Sequence, residues 1–454
     1  MLLAACGGGG GDTADISGSG IVSGPVSGFG SIIANGTRMD IAGATVTNDG
    51  VPVTQADIDV GDSVVMAGTL NGDGTGSATS VITDEFLKGP VTDIDIADKE
   101  FVAMGQTVHV DLATVFDGVT LETLSIGQNV EVHGALDADR EIRATRVELK
   151  SSLDEYEVTG FIEGVAGDTF TINDLIVNFA GAAVDTEEDA PLAAGMYVDV
   201  AAADAPVGGT LTATEVEEED HLPGAAPGQR AEIQGIVTSL EPGSQFVLNG
   251  VTVQYGPNTE FEDGSVASIV VNAEVEVEGT FDANRVLQAR EIEFERELNI
   301  RITTTVDAVN TAAGTVTILG KTFRTNAQTQ FEDKRDADEP FRLSDLQAGD
   351  YAEIRGYLDG ANLIAARVER EETDTELELR GPVDAPDPSG SPFSILGIPI
   401  TTNGATEFEA LDDSEISAGT FYALVGPNDV VEVKQDVRTS PIVADDVDIE
   451  ALVP

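Results

Sequence analysis

The chain repeats itself, and this constrains its fold more than any other feature. Leu124–Glu148 reads LSIGQNVEVHGALDADREIRATRVE, and Leu346–Glu369 reads LQAGDYAEIRGYLDGANLIAARVE. The closing phrase returns as ATSVI from Ala78, ATEVE from Ala213, AREIE from Ala289 and ADDVDIE from Ala444. Successive copies start roughly 65 to 80 residues apart, the span of a small domain and not of a solenoid coil.

The front of each copy repeats too. FVLNGVTVQYGPNTEFED from Phe246, TILGKTFRTNAQTQFED from Thr317 and FSILGIPITTNGATEFE from Phe393 share one frame, which Ile33–Met39 and Phe101–Val110 also fit. Apolar residues alternate on either side of a dipeptide ending in Gly, the signal of a tight hairpin; Asn35-Gly36 and Asn249-Gly250 are the most typical. Before the fourth strand, LETLSIG and LSDLQAG predict one helical turn closed by Gly127 or Gly349 in the left-handed region. Asn272 and Asn428 stand in the same place in two other copies, and Asn tolerates that backbone best after Gly. A backbone role explains this exchange better than a chemical one.

Val130 and Val132 alternate with Glu131 and His133, so the valines face a core and the polar residues face water. Ile142, Ala144 and Val147 return as the last strand, with Arg143, Arg146 and Glu148 outward. Each copy thus supplies about five strands and a helical turn. The predicted fold class is all-β: about six tandem small antiparallel β-barrels of the OB or SH3 type. The copies fall at residues 18–87, 88–150, 155–217, 231–297, 299–371 and 376–454. Residues 218–230 read as an acidic, Pro/Gly-rich linker, exposed and flexible, and residues 1–17 as a truncated lipoprotein signal with a glycine tether. Docked neighbours and beads on a string both fit this pattern.

The 82 acidic against 23 basic residues give a net charge of -59, spread along the whole chain. Such a field repels a polyanion, which excludes nucleic acid as a natural partner and favours cations. No window approaches the roughly 18 apolar residues that span a bilayer. The one cysteine, Cys6, rules out an internal disulfide framework. It ends MLLAAC and precedes five glycines, so Leu3, Ala4, Ala5 and Cys6 resemble a bacterial lipobox, with Cys6 the lipidated residue. Five residues precede it, fewer than such a signal contains, and Gly7 in place of Asp permits sorting to the outer membrane.

The GSGIVSGPVSGFGSIIANG opening from Gly18, the LxxG turn before a VEV strand and the closing ATRVE carry a further resemblance. The chain resembles a bacterial lipoprotein repeat domain family of unknown function, of the DUF5666 type, in tandem copies. The likeness covers about residues 18 to 450 and is strongest in the first, second and fifth copies. It departs from the pattern where Ala202 and Gln435 replace the glycine seen at Gly134. The family implies fold and location and supplies no reaction.

No catalytic constellation emerges. His109 shares its slot with Gln254 and Arg324, and His133 shares its slot with Glu278 and Arg355, as exposed strand positions do. His221 falls in the acidic linker, where solvent is its expected surrounding. There is no phosphate-binding loop, nucleophile elbow or zinc-protease motif. Tryptophan is absent, and Phe261, Phe331 and Phe408 occupy core-like positions, so no aromatic platform for sugars or single strands is expected. Calcium is the one ligand that composition encourages, through the turns at Asn71, Asp137–Asp139, Phe261 and Asp359, although Asp, Asn and Gly are also ordinary turn residues.

The expected function is a non-enzymatic cell-envelope lipoprotein. It is anchored through Cys6 to the outer membrane, periplasmic or surface-exposed, and acts as a structural or binding array of repeats, with divalent cations or a cell-surface molecule as partner. A calcium-stabilised adhesion or matrix protein is the alternative, and a carboxylate-pair hydrolase the third.

Overall fold

The computed structural model describes residues 18–29, 31–83, 85–326, 328–335, 341–384, 393–412 and 414–452. Cys6 and its glycine tether lie outside the described residues. The protein is all-β and built from repeated units. The second unit shows the pattern. Its first strand, Leu87–Asp95, pairs antiparallel with Glu100–Ala103, which pairs with Gln106–His109. That third strand runs parallel to Ile142–Lys150, whose other side pairs antiparallel with Asn129–Leu136. Asn129–Leu136 then pairs back onto the first strand, so the circuit of hydrogen bonds returns to its start. The same circuit recurs in the units that begin at Gly18, Arg230 and Ile300. In the unit that begins at Tyr156 the first and last strands are each broken in two, and in the unit that begins at Leu377 the last strand is.

Local chemistry accounts for these elements. Asn35-Gly36 and Asn249-Gly250 each place two successive residues at positive φ, as the tight hairpin requires. Gly127, Gly349, Asn272 and Asn428 also adopt positive φ ahead of the fourth strand. Thr114, Thr259, Thr329 and Thr406 donate to the carbonyls of Ala144, Ala289, Ala365 and Ala444. This bond ties the loop after the third strand to the recurrent alanine of the last. Val130, Val132 and Val147 are fully buried, with Phe101 beneath them.

The fourth strand's glycine has a steric task. A Cβ on Gly68, Gly134 or Gly356 would lie 2.0, 2.2 or 2.0 Å from a carbonyl oxygen of the last strand. The ladder shifts register at each of these glycines and at Gly279, and then continues. Ala202 and Gln435 stand at the equivalent places, and there the ladder with the last strand stops. Those are the two units whose last strand is broken.

The units join in pairs through their first strands. Glu157 and Val158 pair with Lys88 and Leu87, and Arg301–Thr303 pairs with Glu378–Arg380, both antiparallel. Gly20–Ser23 runs parallel to Arg230–Ile233, which joins the first unit to the fourth. Side chains knit the pairs together. Arg146 donates to the Val60 carbonyl at 3.2 Å and Thr145 to that of Gly61 at 2.6 Å, joining units two and one. Arg367 and Arg355 donate to the Thr114 carbonyl at 3.2 and 3.0 Å, joining units five and two.

Several side chains sit elsewhere than their local pattern predicts. Arg146 and His133 are buried, not outward, because the first unit covers that face. Phe261 and Phe331 are only partly buried against their cores, whereas Phe408 is buried. In the connector, Leu222 is buried in the core of the fourth unit, so the segment is docked and not wholly exposed.

Candidate ligand cleft

The first four units meet around a cleft of about 780 Å³. Asp49, Glu85 and Glu157 line one wall, and the Lys88 ammonium lies 2.6 Å from Asp49 and 2.9 Å from Glu157 and also pairs with Glu85. Burial alone would lower the Lys88 pKa, but Glu85, Glu157 and Asp49 hold it well above its ordinary value. Burial, then the neighbouring Asp199 and Asp49, push Glu157 up to about 9, against Lys88. Asp49 rises to about 6, first from burial and then from Glu85. Asp49, Glu85 and Glu157 converge closely enough to hold a metal ion, but Lys88 provides the cation there. Glu85 is 1% exposed, and its Oε2 has no hydrogen-bond partner among the described residues.

A second wall comes from the third unit. Asp199 pairs in register with Glu217, and Glu217 with Asp185, which sets three carboxylates in a row across the sheet. Like charges directly opposite one another destabilise a sheet. Asp199 accepts a hydrogen bond from Thr159 at 2.8 Å, yet burial, with Asp49 and Glu219, raises it to about 7. Burial and the neighbours Glu215 and Asp185 raise Glu217.

The other units show how such a pair is normally balanced. In the slots of Asp199 and Glu217 the second unit has Glu131 and Glu148, joined by Lys150 at 3.0 and 2.7 Å, with Arg146 beside Glu148. The fifth unit has Glu353 and Glu369, with Arg367 2.7 Å from Glu369 and Arg355 paired to Glu353. In the sixth, Lys434 lies 3.5 Å from Glu432 and Arg301 2.6 Å from it. Although burial opposes it, His133 and Lys150 hold Glu131 down at about 2, and Arg301 with Lys434 keeps Glu432 below its ordinary value. The third unit has Ala201 and Glu215 where the second has His133 and Arg146, and no cation pairs with Asp199 or Glu217 among the described residues. The fourth unit also lacks the balance, and burial with Glu295 and Glu293 raises Glu276 to about 9, but that pair is not part of the cleft lining.

An aromatic wall completes the cleft. Tyr197 stacks on His221 with centroids 4.3 Å apart, Phe161 lies 5.1 Å from Tyr197, and the Arg140 guanidinium sits 5.0 Å above the Phe161 ring. His221 is therefore packed in a wall, not solvated, and its burial lowers its pKa despite Asp220. His133 is enclosed between Asp62 at 3.4 Å and Glu131 at 3.6 Å. Burial opposes its protonation, but Asp62, Glu131 and Glu85 raise it to about 9. His109 is half-buried and lies 2.7 Å from Glu141 and 3.2 Å from Glu100. The structure brings no two of these histidines into a shared site.

The turns marked for calcium spend their oxygens locally. Asp73 accepts from Thr75, and Asp137 accepts the amides of Asp139 and Glu141 and the Arg143 guanidinium at 2.9 Å. Asp263 and Asp359 both pair with Arg296. The cleft residues escaped a reading copy by copy because four units contribute them. The available signal was the exchange of Arg146 and Arg367 for Glu215 at one repeat position.

The family model described as a domain of unknown function, DUF5666, matches residues 88–148, 159–217, 234–293, 304–369 and 380–448. The first unit falls outside these matches although its strands pair in the same circuit. No curated protein matches the chain. Among solved structures the chain is similar to Drosophila Unr CSD456, at 15% identity over 47% of this chain and 97% of that one. The TM-score of 0.13 carries no argument about fold.

Proposed function

Because the chain belongs to the DUF5666 family of repeated domains of unknown function, we propose that it is a non-enzymatic scaffold of small β-barrels, held at the cell envelope through Cys6. The returning pairing circuit, with third and fifth strands parallel, supports a five-stranded barrel of the OB type over an open sheet. One observation carries the scaffold reading: arginines of one unit's last two strands donate to backbone carbonyls of another unit. Arg146 reaches Val60, and Arg355 and Arg367 reach Thr114. Backbone carbonyls fixed by buried guanidinium groups favour a rigid array over loosely tethered beads.

The non-enzymatic part rests on variation. The slot of His133 holds Ala201, Glu278, Arg355 and Lys434 in other units, where a shared reaction would need one residue type. The anchor rests on the lipobox-like Leu3–Cys6 run and the glycines after it. A hydrophobic chain contributes about 0.8 kcal/mol per buried methylene, so stable anchoring needs more than one acyl chain.

Metabolic labelling with a clickable fatty acid in a bacterial host, behind a complete lipoprotein signal, tests the anchor. Label and membrane fractionation that vanish in Cys6→Ser support it; an unlabelled, soluble protein sinks it. Small-angle scattering tests the array: a single compact particle is expected, and an extended chain of independent domains would overturn rigidity.

A further inference from the structure

The third unit differs from its sister units in one respect that bears on ligands. Units two, five and six each supply a cation of their own to the facing carboxylate pair, whereas Asp199 and Glu217 have none among the described residues and line the cleft. We propose that the cleft binds an aliphatic polyamine, with an ammonium group at Asp199 and Glu217 in place of the missing Arg or Lys and the methylene chain against Tyr197 and Phe161.

Four observations favour this chemistry. First, Glu85 lines the same cleft, is 1% exposed, and has an Oε2 with no hydrogen-bond partner among the described residues. That atom is a buried acceptor, costly to leave unmatched. Second, groups that line the cleft already hold cations of this kind. Lys88 places an ammonium among Asp49, Glu85 and Glu157, and Arg140 places a guanidinium over Phe161. Third, the stacked rings of Tyr197 and His221 offer apolar and π surface, which suits an alkylammonium chain. Fourth, a volume of about 780 Å³ suits a small organic molecule. A divalent metal needs several oxygens converging at about 2.3–2.6 Å. Of the two groups among the described residues that converge closely enough to hold a metal, Asp49, Glu85 and Glu157 are filled by Lys88, and in the other, His109, Asp137 and Glu141, Asp137 is paired with Arg143 at 2.9 Å.

The assignment does not depend on acylation of Cys6. Isothermal titration of the full chain at pH 8 with spermidine tests it, against calcium chloride and against sodium chloride at matched ionic strength. One saturable spermidine site is expected, weakened at least tenfold by Asp199→Asn. Glu215→Arg gives the third unit the residue type of Arg146 and Arg367. It should abolish spermidine binding and raise the melting temperature of the unliganded protein. Glu293→Gln, in the fourth unit and outside the cleft, should leave binding unchanged. Spermidine heats equal to those of matched sodium chloride would overturn the proposal. So would spermidine binding indifferent to both cleft substitutions, or a site that calcium saturates and spermidine does not.

Discussion

Arg367→Met removes one of the side chains that join units five and two, beside Arg355 and Lys334. Arg367 is 2% exposed, lies 2.6 Å from Glu332 and 2.7 Å from Glu369, and donates to the Thr114 carbonyl at 3.2 Å. Methionine fills most of the volume but leaves two carboxylates short of their cation. Glu369 is held low by Arg367, Arg355 and Lys334 against strong burial, and Glu332 by Arg367 and Lys334. Breaking a buried pair by removing one partner costs about 3–5 kcal/mol. The lower end applies, because Arg355 and Lys334 remain and Arg367 Nε has no acceptor among the described residues. We therefore expect a loss of about 3 kcal/mol at pH 8, read from the urea transition that reports unit five.

The sign of the pH effect follows. A carboxylate with a depressed folded pKa contributes stability above its unfolded pKa and loses it as pH falls through the folded value. Without Arg367 that contribution shrinks or reverses, so the gap between variant and parent should be widest at pH 8 and narrow toward pH 4. Replacing Glu332 and Glu369 by Gln together with Arg367→Met should recover much of the loss. A loss below about 1 kcal/mol, typical of an exposed pair, would refute the argument, as would a gap independent of pH.

Gly356→Ala sets a Cβ 2.0 Å from the Ile364 carbonyl oxygen, so a loss of about 1–3 kcal/mol is expected, and an unchanged melting temperature would show that the bulge is not sterically required. Asn249→Ala strains a residue at φ 44° and leaves the Ile236 amide without its 3.0 Å acceptor; a loss of about 1–2 kcal/mol in denaturant unfolding should result. Asp49, Glu157, Asp199, Glu276 and Asp448 are raised to about 6, 9, 7, 9 and 7, so the native state holds more protons than the unfolded chain above the ordinary carboxyl range. Melting temperature at constant ionic strength should therefore fall as pH rises from about 5 to about 9, and a steady rise would contradict the assigned environments.

Features governed by a few neighbouring residues were legible in the sequence. Asn35-Gly36, Gly127 and Asn272 announce positive φ because few residues tolerate it, and alternation announced the buried faces of Val130 and Val132. Features that depend on a second unit were not. Arg146 and His133 look like outward strand residues until the first unit is laid over them, and His221 looks solvated until it meets Tyr197. The cleft is hidden for the same reason. Glu215 and Ala201, where the second unit has Arg146 and His133, hinted that the third unit had lost its internal balance.

The parallel pairing of Gly20–Ser23 with Arg230–Ile233 also sets an order of events. While the chain is made or exported from its N-terminus, the first unit emerges with one strand's backbone donors and acceptors facing open water. Its partner strand arrives only after two whole units have passed. Over that interval the open edge can recruit a strand from another molecule. Ile21, which packs into the core of the fourth unit in the finished protein, stands uncovered over the same interval and adds an apolar side chain to that edge. The parts of this protein that fold fastest need not be the parts that appear first: the second and third units can close on each other while the first still waits for the fourth.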